Sequence, residues 1–308
     1  FVSPSAVPDF AVSNIVASPQ TLVADGIALA NVTLTLRDQA GNQIPRTTGT
    51  VVFSASSGTL MGSVQSNGDG TWSQQLRAPT SRGSGAISVT ATYDGTALQS
   101  SPASVSLIAG NINLAQSTIS LSPTSIEANG SSSSIVTVTL RDDHGNQISS
   151  ANETVVITVT SGSLLGTGVT NNNDGTYQRS VRSNTVAQNV TVSATVGGVL
   201  LPNSATLAFT AGSPDVTKST FQVSPSTLPP NGIATSTVTL VLRDANSNQV
   251  NRGGDTVVFN TTAGSWSSAV IDNGNGSYQR VLRAGTTNQT ALITASVNGA
   301  SIPMTGRV

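Results

Sequence analysis

The dipeptide Arg-Asp closes an alternating apolar stretch three times, at Arg37-Asp38, Arg141-Asp142 and Arg243-Asp244, 104 and then 102 residues apart. Ser18-Pro19, Ser122-Pro123 and Ser224-Pro225 keep the same two offsets, and so do Gly58, Gly162 and Gly264. A fixed period constrains the fold more than any single residue, because each copy must be one structural unit. About a hundred residues is the length of a small β-sandwich, long enough to bury a core without disulfides. The 308 residues therefore divide into three domains, expected at 8–109, 110–211 and 212–308. Residues 1–7 read as a linker from an upstream domain, because Pro8-Asp9 anticipates Pro214-Asp215 at the summed offset. Any activity is either written into all three copies or belongs to the array.

Within each copy the pattern is that of strands. Val32, Leu34 and Leu36 alternate with Thr33 and Thr35, as do Val136, Val138 and Leu140, and Val238, Leu240 and Leu242. A period of two places one face in a core and one in water. A turn follows at Gly41-Asn42, Gly145-Asn146 and Ser247-Asn248, where Gly and Asn tolerate positive φ and the preceding Asp accepts turn hydrogen bonds. Next come Val51 to Phe53, Val155 to Ile157 and Val257 to Phe259, then the hairpin signals Asp69-Gly70, Asp174-Gly175 and Asn275-Gly276. About seven strands with turns every 8–12 residues read as an immunoglobulin-like (Ig-like) sandwich, and no helical periodicity competes with them. Aligning Gly198 with Gly299 places Leu207 opposite Val308, so the last strand of the third domain is expected to be short.

Composition removes several function classes. Thirteen basic residues stand against fourteen acidic ones, and charged residues make up only 9%. No basic stripe exists to hold nucleic acid, so none is expected as a partner. No apolar run approaches the roughly 20 residues that span a bilayer as a helix. Cysteine is absent, which suits a bacterial surface protein exported unfolded better than a disulfide-stapled eukaryotic sandwich. With no Cys and only one His, a zinc site and a cysteine nucleophile are excluded.

A Leu-Arg-Asp strand end, a Gly-Asn-Gln turn, a Val-Val-Phe run and an Asn-x-Asp-Gly-Thr-aromatic hairpin follow one another. They run from Leu36 to Gln43 and Asn67 to Trp72 in the first copy, and from Leu140 to Gln147 and Asn173 to Tyr177 in the second. This set resembles the bacterial Ig-like domains of the invasin/intimin family, in triplicate over essentially the whole chain. The third copy departs, with Asn246-Ser247-Asn248 in the turn and Asn275 in place of Asp. The resemblance implies tandem modules of a Gram-negative adhesin, the passenger of an inverse autotransporter. An N-terminal outer-membrane barrel anchors such a passenger, and a disulfide-bearing lectin-like tip is common on relatives. Neither barrel nor tip is expected within these residues.

The residues that invite a chemical reading each have a plainer one. His144 follows two aspartates, but Ala40 and Asn246 take its place in the other copies, so it reads as an exposed turn residue. Asp69 and Asp174, with Asn67 and Asn173, suggest calcium, yet fourteen carboxylates over three domains are too sparse for six to eight oxygens per site. Trp72, Tyr177 and Tyr278 share one position and read as core-edge rings whose polar atoms find backbone partners; Trp266 reads as core. Arg37, Arg141 and Arg243 read as scaffold, lying over the sheet with local hydrogen bonds. Lys218 is the sole lysine, so a Lys–Asn isopeptide staple in every domain is excluded.

The expectation is an all-β rod of three tandem Ig-like domains with no enzymatic activity. No catalytic, cofactor-binding or metal-binding residue and no cofactor is assigned, and the binding residues are unassigned. Its role is a stalk on the extracellular face of a bacterium, projecting a distal binding region and contributing to host-cell or biofilm adhesion. Partners are a host receptor or a neighbouring bacterial surface, and further Ig-like domains of the same chain. Accessory modules of a secreted polysaccharide-active enzyme or of a phage tail fibre are the alternative.

Overall fold

The computed structural model describes residues 7–45, 48–100, 102–149 and 151–308. The expected linker 1–7 lies, apart from Val7, outside them. Three successive β-sandwiches form, and no helix occurs among the described residues.

In the first domain the strands are β1 (Asn14–Ser18), β2 (Thr21–Val23), β3 (Leu29–Thr35), β4 (Val51–Ala55), β5 (Thr59–Ser66), β6 (Thr71–Arg77), β7 (Ala86–Tyr93), β8 (Thr96–Ala97) and β9 (Ala103–Ile108). One sheet runs β1-β3-β6-β5 and the other β2-β9-β7-β4, with β8 paired to β7. All pairs are antiparallel except β2 with β9. The chain changes sheets between β1 and β2 at Ser18-Pro19, a cis peptide like Ser122-Pro123 and Ser224-Pro225. Proline suits this crossing because it has no N–H to lose from a ladder.

The alternation read from sequence sets the inner face. Val32, Leu34 and Leu36, and both sets of counterparts, are fully buried. Each domain closes a separate apolar cluster against the facing sheet. The shortened final strand is also present. It covers Gly306–Arg307, where its counterparts cover Ala103–Ile108 and Ala205–Thr210. No strand in the third domain takes the place of β2.

The glycines that keep the repeat offset have a steric cause. Gly58, Gly162 and Gly264 sit at φ of 78°, 84° and 74°, and a Cβ at each would lie 2.5, 2.5 and 2.4 Å from the carbonyl oxygens of Arg77, Arg182 and Arg283. No side chain fits there without moving backbone. Gly264→Ala is expected to cost the third domain about 2–4 kcal/mol. Calorimetry of the whole chain should show one of its transitions moved down, with the remainder in place.

Candidate functional site: the interdomain junctions

The Arg-Asp motif builds a turn from its own side chains. Arg37, Arg141 and Arg243 each reach along the turn and donate from Nη1 to the carbonyls of Gly41, Gly145 and Ser247, at 2.8, 2.7 and 2.8 Å. Those three acceptor residues, and not the asparagines after them, take positive φ, at 86°, 79° and 68°. The asparagine is thereby left in ordinary backbone with its side chain available. The adjacent aspartates are buried, at 2–3% exposure. Oδ1 of Asp142 accepts from the N–H groups of His144 and Asn146, and Oδ2 from Asn146 Nδ2 at 3.0 Å and from Gly110 N at 2.9 Å. Asp244 repeats this with Asn246, Asn248 and Gly212. Gly110 and Gly212 belong to the short links between domains, so each carboxylate ties the incoming chain to the turn.

The asparagine that the aspartate holds then crosses to the preceding domain. Asn146 Nδ2 donates to Thr80 O at 2.9 Å and Ala24 O at 3.3 Å, and its Oδ1 accepts from Arg82 N at 2.9 Å. Asn248 does the same one domain on, donating to Thr185 O at 2.9 Å and accepting from Ala187 N at 2.8 Å. Asn246 meets Ala128 O at 3.1 Å. The residues just before Thr80 and Thr185 are tied to corresponding loops of their own domains, Gly26 donating to Pro79 O and Gly130 to Asn184 O. Asn42, the counterpart in the first domain, is half-buried and donates to Asp38.

Sequence reasoning placed these residues in turns and missed what they join. It also missed Ser13, Ser117 and Ser219, although they keep the repeat offsets and are fully buried. Each hydroxyl donates to the carbonyl of Asp9, Asn113 or Asp215 and accepts from the N–H of Arg37, Arg141 or Arg243, pinning the start of the domain beside the motif.

The other candidates stand apart from one another. His144 is exposed, and nearby Asp25 has its pKa lowered chiefly by the Ala28 and Ile27 N–H groups, with His144 the smallest contributor. Asp69 and Asp174 cap hairpins, each accepting from the N–H and hydroxyl of Thr71 or Thr176. The partner of the second hairpin is Asn172, the true counterpart of Asn67; Asn173 instead takes φ of 59°. Among the described residues no group of three His, Asp or Glu side chains is placed to hold a metal. Trp72, Tyr177 and Tyr278 are buried. The Tyr177 hydroxyl donates to Ala151 O and accepts from Glu153 N, and the Tyr278 hydroxyl accepts from Asp255 N. Trp72 has no hydroxyl, and Tyr93 on β7 packs edge-on against it at 5.5 Å and donates to Thr48 O instead. Trp266 lies half-buried on the third core beneath Arg280, at 4.8 Å.

The family model described as Invasin, domain 3 matches three times, over residues 9–110, 113–212 and 215–308. Among solved structures, FdeC, an Escherichia coli adhesin, aligns over 100% of this chain and 99% of its own, at 23% identity and a TM-score of 0.59. Invasin, a bacterial integrin-binding protein, aligns over 96% of this chain and 59% of its own, at 24% identity and 0.55. InvD of Yersinia pseudotuberculosis aligns over 96% of this chain and 97% of its own, at 21% and 0.54. At these identities the likeness is one of fold.

Burial opposes the charged form of Asp142, but the donors from Gly110, Asn146 and His144 outweigh it and hold the carboxyl below its ordinary value; Asp244 behaves alike. Their contribution is complete above the unfolded value of about 3.9 and is lost as the pH falls through the lower, folded value. Asp142→Asn turns a donor toward donors, and is expected to cost about 1.5–3 kcal/mol at neutral pH. Unfolding followed against pH should show a shallower acid limb for this variant than for the parent chain.

Proposed function

Because the chain belongs to the invasin domain 3 family, we propose that it is a spacer in a bacterial surface adhesin, holding a distal binding region away from the cell. The observation that carries this reading is the construction of the junctions. The motif that closes each turn also fixes the next domain against the last, through hydrogen bonds made at both junctions. Such links favour a semi-rigid series over a flexible tether. The reading gains support from the three consecutive family matches and from the adhesins whose folds align along the chain. It places the chain outside the bacterium, anchored in the outer membrane through a region beyond these residues. Among the described residues no helix is long and apolar enough to cross a membrane. Further Ig-like domains of the same protein are the partners that this construction suits, and host-cell or biofilm contact is assigned to the distal region.

Three domains of ~30–40 Å each, in series, should give a maximum dimension near 100 Å in small-angle scattering. A compact particle about half that size would rule the spacer out. The decisive cellular test exchanges this segment, within the full-length adhesin on the cell, for three unrelated Ig-like domains of equal reach. A spacer predicts that adhesion is lost on deletion and restored by the exchange. Loss in both cases would show that the segment itself carries the binding face.

A further inference from the structure

The two junctions share the asparagine key, but among the described residues only the first has a guanidinium across it. At the first, Arg82 donates from Nε to Leu107 O at 3.1 Å, in its own domain, and from Nη1 to Gln147 O at 2.8 Å, in the next. Its guanidinium therefore bridges the domains beside the Asn146 contacts. At the second junction the residue whose N–H meets the asparagine is Ala187. Its methyl group has nothing to donate. Among the described residues no side chain of the second domain hydrogen-bonds to Gln249, the counterpart of Gln147. A groove of about 770 Å³ lies there instead, lined by Ala187, Phe209, Ala211, Asn248, Val250 and Arg252. The exposure of the key follows the same order. Asn146 is buried at 9%, whereas Asn248 is half-buried.

We infer that the chain is a rod with one built-in hinge, in which Arg82 latches the first junction and Ala187 leaves the second, held by its asparagine hydrogen bonds alone, the readier of the two to bend. A hydrogen bond from a charged donor is worth more than one between neutral groups, so Arg82 gives the first link a contact that the second lacks. Asn246 at 3.1 Å from Ala128 O replaces the 3.3 Å contact of Asn146 with Ala24 O, so the neutral hydrogen bonds nearly match and the guanidinium bond is the one that the second junction lacks. In packing, Glu127 stands against Gly212 where Val23 stands against Gly110. Bending at the second junction would open and close the groove, while the asparagine key limits the range.

The chain has no cysteine, so paired spin labels can be placed cleanly. Ser54, Thr158 and Asn260 are exposed and occupy one position in the three domains. Pulsed electron-spin distance measurements on Ser54→Cys/Thr158→Cys read the first junction, and Thr158→Cys/Asn260→Cys the second. The distribution across the second is expected to be roughly twofold wider. Ala187→Arg should narrow it toward the first, and Arg82→Ala should widen the first toward the second. Equal widths in the parent chain would overturn the inference, and so would an Ala187→Arg variant that folds normally and narrows nothing. Arg252 lines the groove from the opposite side, so Arg252→Ala serves as a check. If it widened the second distribution, that arginine would already be the latch and the inference would fall. The measurement reads the junctions alone, and its result stands whether or not the chain serves as a spacer.

Discussion

A carboxylate buried at the entrance of the domain organises much of what surrounds it. Asp142 and Asp244 accept from the backbone of their turn, from an asparagine side chain and from the glycine that leads in from the previous domain. A buried charge is tolerable only when its lone pairs are met. Here the groups that meet them are the ones whose positions matter elsewhere. The arginine neighbour closes the same turn from outside, and the asparagine, once oriented, has its remaining donor and acceptor aimed at the preceding domain. Folding of the turn and alignment of the junction are thus set by one polar cluster.

Much of the fold was legible before the structure. Strand alternation at Val32, Leu34 and Leu36 named the buried face, and the offset of Gly198 to Gly299 foretold the short final strand. The positive-φ glycines Gly58, Gly162 and Gly264 were visible as invariants of the repeat, although the carbonyl that demands them was not. The junction was illegible for a physical reason. Its asparagine is one of many polar turn residues, and its partners on the other side are main-chain atoms of Ala24, Thr80 and Arg82, which leave no mark in a side-chain pattern. Ser13, Ser117 and Ser219 did leave a mark, since they obey the same offsets, but small polar residues are frequent enough in this chain for the coincidence to pass unnoticed.

The aromatic position teaches a related point. Tyr177 and Tyr278 supply a buried hydroxyl that fastens the loop before the second sheet, and in the first domain Trp72 fills the space without it. The hydroxyl then arrives from Tyr93, on the facing sheet, where the other domains carry Val196 and Val297. What is preserved is a ring in the core and an oxygen at the loop, not their presence on one residue. A column of the repeat read alone shows a loss; two columns read together show an exchange.

The contacts of the asparagine key fall wholly on carbonyl and amide groups of the preceding domain's backbone. The first and second domains both offer such groups, although their side chains at these positions differ. A domain duplicated, deleted or exchanged within the array would bring these backbone groups with it, leaving only side-chain additions such as Arg82 to be matched. Such an array can change its length by recombination while the asparagine contacts carry over from one joint to the next.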